Sequence, residues 1–195
     1  MSGVLYVVAT PIGNLGDISE RAVEVLGTVD LLAVEDSRHS ARLLQARGIQ
    51  TPTLALHEHN ESHRISHIMA LLEQGKSVAL ISDAGTPLIS DPGYGLVRQA
   101  HQQGFKVIPV PGACAAIAAL SVAGLASDRF CFEGFLPAKS AARLSKLQAL
   151  QAEPRTLVFY EAPHRIEESL VDMVTVFGAD REATMARELT KTYET

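Results

Sequence analysis

Short runs of apolar, mostly β-branched residues alternate along the chain with longer segments in which apolar residues recur every three or four positions. The short runs predict buried strands, and the helical spacing between them predicts connecting helices. This alternation is typical of a layered α/β architecture rather than a bundle or a sandwich. The predicted strands are Val4–Ala9, Leu31–Val34, Thr53–Leu56, Val78–Ser82, Lys106–Val110, Phe130–Glu133, Thr156–Tyr160 and Ala183–Arg187.

Residues typical of helix starts precede several of the helical segments. Asp17 with Glu20 three residues later resembles a capping box. Asn60 can cap the helix that follows it, and Pro163 suits the first turn of another. The prolines and glycine of residues 109–112 then end a strand and redirect the chain, so we predict a domain boundary there. The predicted domains are residues 1–111 and 112–195.

The composition predicts a cytoplasmic protein that folds without disulfides. With 195 residues, 47% of them hydrophobic, the chain can bury a substantial core. Cys114 and Cys131 lack CxxC spacing, so we expect free thiols in a reducing compartment. No basic segment precedes an apolar run at Met1–Tyr6, and no apolar stretch approaches the length of a membrane span.

The net charge of −5 argues against broad binding to polyanions, so any contact with nucleic acid must be local. Residues 137–166 hold five basic residues against Glu153 and Glu161. Lys139, Arg143 and Lys146 follow helical spacing and share one face, which makes them candidate substrate-binding residues. A merely solvated face is the alternative interpretation. The five basic residues are Lys139, Arg143, Lys146, Arg155 and Arg165.

Two loops at predicted strand ends are rich in glycine, proline and polar residues, and open α/β sheets place ligands at such ends. The first is residues 9–17, ATPIGNLGD, which matches neither GxGxxG nor GxxxxGK[ST]. The second is residues 82–93, SDAGTPLISDPG, in which Gly85 permits close approach of a ligand and Pro87 stiffens the turn. An ordinary tight turn is the alternative for the second loop.

Four histidines follow the third predicted strand, and two of them, His63 and His67, would share a face of the next helix, so a metal site has to be considered. We predict none, because the spacing lacks a nearby cysteine or an HExxH pattern. His57, at a strand end, is instead a candidate residue of the substrate cleft. The histidines are His57, His59, His63 and His67.

The motifs together resemble the tetrapyrrole methylase superfamily, and more closely its branch of 16S ribosomal RNA cytidine-2'-O-methyltransferases. The resemblance covers essentially the whole chain, and VEDSRH and ARELTKTYE are the segments most typical of that branch. The matching segments are ATPIGNLGD (9–17), AVEDSRHSARLL (33–44), LHEHNE (56–61), SDAGTPLISDPGY (82–94), PVPGACAAIAALSVAGL (109–125), FCFEGFLPAKS (130–140), FYEAPHRI (159–166) and ARELTKTYE (186–194).

The resemblance implies a two-domain α/β fold with a cofactor cleft between the domains. It implies methyl transfer from S-adenosylmethionine to a cytidine ribose 2'-hydroxyl in the decoding region of 16S rRNA within the small ribosomal subunit. It also implies a homodimer. Because the family pattern continues beyond Thr195, we expect the second domain to be incomplete.

The resemblance also assigns residues to the cofactor and to the acceptor. Thr10 and Pro11 belong to the loop beside the acceptor. The cofactor-binding residues that it implies are Gly85, Thr86, Pro87, Ile89, Cys114, Ala115, Tyr160 and Ala186.

A methyltransferase of this kind needs in-line alignment and a group that accepts the hydroxyl proton. The candidates for this chemistry are Glu188, Lys191, Glu35 and Arg38, with Asp36 as a substrate-binding residue. Glu188 or Lys191 would be nearest the acceptor, Arg38 would hold RNA phosphate, and Glu35 would orient Arg38 or the ribose. Structural ion pairs are the alternative for each residue.

Two other functions are open at this point. One is a methylase that uses the same cofactor cleft for a tetrapyrrole or a protein side chain. The basic helix face argues against it, because a small macrocycle needs fewer distributed cations than a folded RNA. The other is a truncated module that binds its ligands without turnover.

Overall fold

The computed structural model describes residues 3–56 and 61–195. Contacts between residues divide the chain into two compact units, Met1–Cys114 and Ala115–Thr195. The division lies three residues beyond the predicted domain boundary after Pro111.

The first unit is built on a five-stranded sheet in which all neighbouring strands are parallel, in the order β3-β2-β4-β1-β5. Every one of these strands was predicted from its apolar run, and each bound lies within one residue of the prediction. The strands are β1 Val4–Val8, β2 Leu31–Val34, β3 Thr53–Ala55, β4 Ser77–Ile81 and β5 Lys106–Val110.

Four helices cover the two faces of this sheet. Val8 and Ile81 pack with residues of α1 and α2 on one face, whereas Leu5 and Leu80 pack with residues of α3 and α4 on the other. The side chains of successive strand residues alternate between the faces, so both faces are buried. The helices are α1 Glu20–Thr28, α2 Ser37–Ala46, α3 Glu61–Glu73 and α4 Tyr94–Gln102.

The predicted capping box at Asp17 is wrong, because a better cap lies two residues further along the chain. The Ala22 amide donates to the Ser19 side-chain oxygen at 3.1 Å, and α1 begins immediately after Ser19. Asp17 belongs to a short 3₁₀ turn, Leu15–Asp17. The predicted cap at Asn60 lies outside the described residues.

The strand order creates a switch point between β1 and β4. These two strands are neighbours, yet β1 leads into α1 on one face and β4 leads into α4 on the other. Loops that leave adjacent strands in opposite directions open a crevice at the carboxyl edge of the sheet, where α/β proteins bind ligands. Both loops singled out in the sequence lie at this crevice.

The second unit contains two parallel strands, with a bulge near Gly134, and three helices. Its small core is formed by Leu136, Leu147 and Val176. None of the described helices in either unit is long and apolar enough to cross a membrane. The elements are α5 Ala115–Val122, β6 Phe130–Phe135, α6 Ser140–Ala149, β7 Thr156–Tyr160 and α7 Ile166–Phe177.

The predicted strand Ala183–Arg187 is wrong. Among the described residues β6 and β7 pair only with each other, and this segment pairs with neither of them. Instead, the Thr184 hydroxyl donates to the Ala123 carbonyl at 2.8 Å, and Arg187 exchanges two backbone hydrogen bonds with Thr195. β-propensity alone does not form a strand when the bonds of a segment go to other partners.

A buried ion pair connects α6 to α7. The side chain of Arg143 is only 1% exposed, and its Nε donates to Asp172 Oδ2 at 2.7 Å. The Ser140 hydroxyl donates to the same carboxylate at 3.0 Å. Because a buried charge is costly without its partner, the pair stabilises one specific packing of the two helices.

Replacing Asp172 should therefore destabilise the second unit strongly. We expect Asp172→Ala to lower the free energy of unfolding by about 3–5 kcal/mol, because the Arg143 charge stays buried and keeps only the exposed Glu168 carboxylate, 3.6 Å away. Urea denaturation measures this loss. Glu167→Ala, at an exposed position of α7, is the matched control and should change stability little. A loss below about 1 kcal/mol in Asp172→Ala would contradict this account of the pair.

Candidate functional site

The loops that follow β1 and β4 are joined by a short antiparallel bridge between Thr10 and Gly85. The Thr10 amide donates to the Gly85 carbonyl at 2.8 Å, and the Gly85 amide donates to the Thr10 carbonyl at 3.1 Å. The buried Thr10 hydroxyl also lies 3.4 Å from the Ser82 carbonyl, to which it donates. The bridge fixes the relative position of the two loops at the switch point.

Gly85 stands where three loops meet. Its φ of +85° is in the left-handed region, and an added Cβ would lie 3.2 Å from Ile12 Cγ2 and 3.7 Å from the Ala113 carbonyl oxygen. Its neighbour Thr86 donates its hydroxyl to the same Ala113 carbonyl at 2.9 Å. The loops after β1, β4 and β5 therefore converge on one glycine, where a Cβ would press on the Ile12 side chain.

The predicted site residues of the first unit are gathered around this point. Thr10 and Pro11 lie in the loop after β1, and Cys114 follows Ala113 in the loop after β5. In the loop after β4, Leu88 and Ser90 have φ values of +73° and +69°. Positive φ costs a non-glycine residue free energy and is concentrated at functional sites. This last loop also contains the predicted residues Thr86, Pro87 and Ile89.

Three half-buried carboxylates lie at the same edge of the sheet. The Asp36 amide donates to Asp83 Oδ1 at 3.1 Å, and the Asp83 amide donates to Glu35 Oε2 at 3.2 Å. Burial raises the pKa of Asp91 to about 6. The negative charges of Glu35 and Asp83 also raise this pKa, whereas a hydrogen bond with Ser82 lowers it. Like charges brought together in this way create a local negative potential.

Our sequence-based site included Glu35 but missed Asp83 and Asp91. Both lie in the loop after β4, whose two acidic residues were visible in the sequence. What the sequence did not reveal is that β2 and β4 are adjacent, so that Glu35 and Asp83 follow neighbouring strands. Glu35 binds the Asp83 amide in this structure.

Asp36 and Arg38 form a pair at the start of α2. The Arg38 guanidinium is 92% exposed and lies 3.1 Å from Asp36 Oδ2, and the Asp36 carboxylate also caps α2 by accepting from the Arg38 amide. Hydrogen bonds from Arg38 lower the pKa of Asp36 to about 2. Arg38 is thus held at the surface by its pairing with the Asp36 carboxylate. His57, the predicted cleft residue after β3, lies outside the described residues.

In the second unit, Tyr160 ends β7 beside the start of α5. The Ala116 amide donates to the Tyr160 hydroxyl oxygen at 3.1 Å, which satisfies an amide of the first helical turn. Its ring makes edge contacts with Phe132 and Phe135, with centroids 4.9 and 5.5 Å away. Ala115, predicted to bind the cofactor with Tyr160, is the first residue of α5.

Glu188 and Lys191 lie in a closed loop of residues 187–195. Lys191 Nζ is 3.1 Å from Glu188 Oε1, and two Arg187–Thr195 backbone hydrogen bonds close the loop. Glu188 has a φ of +55°, a strained value for a residue with a side chain. Ala186, the last predicted cofactor residue, immediately precedes this loop in irregular backbone.

The predicted basic helix face is largely neutralised. Arg143 is buried between Asp172 and Glu168, so the prediction that it binds substrate is wrong. Lys146 Nζ is 3.5 Å from a Glu133 carboxylate oxygen and donates to the Glu133 carbonyl at 2.7 Å. Lys139 is exposed. The charge count of residues 137–166 failed because Glu133, Glu168 and Asp172 lie outside that segment.

Comparison with known proteins identifies the family. The family model described as Tetrapyrrole (Corrin/Porphyrin) Methylases matches residues 4–195. The ribosomal RNA small subunit methyltransferase I of Pseudomonas aeruginosa is 66% identical over 194 residues, which are 100% of this chain and 69% of that protein. The chain belongs to this methyltransferase family. The family resemblance that we inferred from the motifs is thereby confirmed.

Other relatives and solved structures are similar at lower identity. The Escherichia coli O157:H7 ribosomal RNA small subunit methyltransferase I is 59% identical over 193 residues, covering 99% of this chain and 68% of that protein. A crystal structure of a cobalt precorrin-4 methyltransferase has a TM-score of 0.70 at 15% identity, covering 99% of this chain and 83% of that one. A crystal structure of diphthine synthase has a TM-score of 0.67 at 18% identity, covering 89% of this chain and 71% of that one. At these identities the structures confirm the tetrapyrrole methylase fold alone.

The raised pKa of Asp91 predicts a pH-dependent loss of stability. A carboxyl with a pKa of 3.8 when unfolded and about 6 when folded destabilises the native state increasingly as pH rises from 3.8 to 6. We therefore expect Asp91→Asn to unfold at a higher temperature than the native chain at pH 8. This advantage should vanish below pH 3.8. Thermal scans across this range measure the difference.

Asp17→Asn is the control for this experiment, because Asp17 is exposed. Its thermal midpoint should follow that of the native chain at every pH. An Asp91→Asn variant that is no more stable than the native chain at pH 8 would contradict the proposed cause.

Proposed function

We propose that this chain is an S-adenosylmethionine-dependent methyltransferase that methylates the ribose 2'-hydroxyl of a cytidine in the decoding region of 16S rRNA. The observation that carries the proposal is the 66% identity, over the whole chain, to a ribosomal RNA small subunit methyltransferase I. The ribose position and the base follow from the resemblance of the motifs. We further propose that the chain acts in the cytoplasm, on the small ribosomal subunit, as a homodimer.

The residues at the switch point fit this cofactor. S-adenosylmethionine carries two positive charges, a sulfonium and an ammonium, and the edge of the first unit gathers the carboxylates of Glu35, Asp83 and Asp91. Gly85 brings backbone rather than side chain to this edge. The residues that would hold the cofactor are Gly85, Thr86, Pro87, Ile89 and Cys114 of the first unit and Ala115, Tyr160 and Ala186 of the second.

When bound, S-adenosylmethionine supplies an electrophilic methyl group on its sulfonium. The contribution of the chain is to position the acceptor oxygen in line with that methyl group. Thr10 and Pro11 suit this task, because the bridge to Gly85 fixes the loop that carries them. Rigid positioning of this kind contributes much of the rate enhancement in a displacement between two bound groups.

Glu188 is the group that we propose to accept the proton of the 2'-hydroxyl. Lys191 lies 3.1 Å from it, and a lysine in such an ion pair is a cation without a free electron pair for a proton. Lys191 then orients the Glu188 carboxylate. The strained backbone of Glu188 is consistent with a side chain held for function.

Arg38 and Lys139 are the proposed contacts to RNA phosphates, with Asp36 positioning Arg38. The Arg38 guanidinium is almost fully exposed while two of its nitrogens bond Asp36. A guanidinium has five N–H donors, so others are available to a phosphate. Lys139 is also exposed, at the N-terminal cap of α6.

Gly85→Ala tests the placement of the cofactor. We expect both Gly85→Ala and Gly48→Ala to lose about 1–3 kcal/mol of stability, because both glycines have positive φ. Only the Cβ at Gly85 meets other atoms, since nothing lies within 4 Å of a Cβ at Gly48. Calorimetry should therefore show weaker binding of S-adenosylmethionine by Gly85→Ala alone. Native affinity in that variant would remove this loop from the cofactor site.

The function itself is tested by methyl transfer from labelled S-adenosylmethionine to small ribosomal subunits that lack this modification. We expect label on a cytidine 2'-oxygen. Glu188→Gln should lower kcat by about 10²- to 10⁴-fold, the usual contribution of a general base. Glu194→Gln is the matched control, because the new amide oxygen can still accept from the Thr190 amide, as Glu194 Oε1 does at 2.9 Å.

Each remaining outcome overturns a defined part of the proposal. Label on a base, or on another RNA, would contradict the acceptor, whereas unchanged turnover in Glu188→Gln would remove Glu188 from the mechanism. Cofactor binding without any transfer would contradict catalysis by this chain. Absence of both would contradict the methyltransferase function altogether.

A further inference from the structure

Two arginines hold the loop between β6 and α6, residues 136–139. Arg165 Nη1 donates to the Leu136 carbonyl at 3.4 Å. Arg143 Nη1 donates to the next two carbonyls, those of Pro137 and Ala138, at 3.4 and 3.2 Å. Three successive carbonyls of one short loop are thus bound by guanidinium groups from different parts of the second unit.

Both guanidiniums are anchored by carboxylates, so their positions are fixed. Arg143 is paired with Asp172 as described above. Arg165 Nη2 lies 2.5 Å from Glu161 Oε1. Glu161 in turn accepts from the Ser169 hydroxyl at 2.6 Å and from the Ala162 amide at 2.8 Å. The loop backbone is therefore held by Arg143 of α6 and by Arg165, which immediately precedes α7.

Leu136 is buried, but an exposed residue such as Ala138 does not need such support, because water can satisfy exposed carbonyls. Removing an arginine from water costs free energy, and its ion pair recovers only part of that cost. A buried ion pair therefore contributes little to the net stability of a fold. The conformation of the loop that these pairs fix is a separate effect from the free energy of unfolding. The side chain that the loop presents is Lys139, which is exposed beside Ala138.

Lys139 differs from the other basic residues of segment 137–166. Arg155 pairs with Glu153 at 2.6 Å, and Arg143, Lys146 and Arg165 have the acidic partners already given. Within the part of the chain that the structure describes, the Lys139 side chain makes no hydrogen bond or ion pair. Its charge is the one in this segment that is left for a partner of opposite sign.

We propose that Arg143 and Arg165 are positioning residues that hold Lys139 in place for a phosphate of the acceptor RNA. The inference rests on the proposed function and adds two residues that do not touch RNA themselves. A lysine on a mobile loop loses backbone and side-chain freedom when it binds a phosphate. A loop that is already fixed at three carbonyls has lost the backbone part of that freedom before binding, and preorganisation improves affinity.

Binding to small ribosomal subunits, measured by filter retention over a range of salt concentrations, tests the contact. Lys139→Gln should weaken binding roughly two- to fivefold, as expected for one exposed ion pair. The slope of log affinity against log salt should fall by about 1, because one phosphate contact is lost. KM for subunits should rise with kcat and the dissociation constant of S-adenosylmethionine unchanged.

Arg165→Lys tests the positioning, because lysine keeps the charge but lacks the planar donor fork. It should weaken subunit binding in the native background and have no further effect in the Lys139→Gln background. A purely structural role would give additive losses instead. Arg155→Lys is the matched control, since Arg155 bonds Glu153 and not the loop. It should bind subunits with native affinity and salt dependence.

Thermal unfolding identifies a variant that is merely unstable. Should Arg165→Lys unfold early, Glu161→Gln weakens the same anchor while keeping one oxygen acceptor for the Ala162 amide. Native binding in the folded positioning variant, additivity with Lys139→Gln, or an unchanged salt slope in Lys139→Gln would each overturn the inference. Normal subunit binding without methyl transfer would contradict only the proposed function, because the binding measurements do not depend on turnover.

Discussion

The two peptide hydrogen bonds between Thr10 and Gly85 are the constraint on which the arrangement of the first unit's site depends. They join the ends of adjacent strands whose chains leave toward opposite faces of the sheet. With Thr86 bonded to the Ala113 carbonyl, a third loop is fixed to the same point. The backbone at the crevice is therefore held before any ligand arrives, which is the condition for precise alignment of two reacting groups.

The sequence predicted the elements of the first unit well because each signal was local. Apolar runs such as SVALI of β4 are buried on both sides, and no competing interaction overrides their preference for strands. The failures were non-local. Ala183–Arg187 has strand propensity, but Thr184 and Arg187 bond to residues outside any sheet. Arg143 has the spacing of a surface residue, but it is buried in an ion pair with Asp172 of the next helix. Burial of a charge depends on the other helix, which spacing along one helix does not reveal.

The site shows the same limit. Motifs located the loops, because glycine and proline act on their own backbone. They did not reveal that Glu35 and Asp83 follow neighbouring strands, since strand order is a property of the whole sheet. Nor did they distinguish Lys139 from the paired cations around it. Local sequence therefore located the two polar loops. Tertiary pairing decided which charged side chains remain available to a ligand.

The strand order also governs how the first unit must assemble. β1, which precedes the other strands of this sheet in the chain, lies between β4 and β5, and Val4 pairs with both Ser77 and Lys106. Pairing over such long separations makes folding slow, because the chain loses the entropy of closing a large loop before the stabilising contacts form. The apolar VLYVV segment thus leaves the ribosome long before its partners exist. During that interval it is a hydrophobic strand with two open edges, the kind of segment that chaperones protect from aggregation.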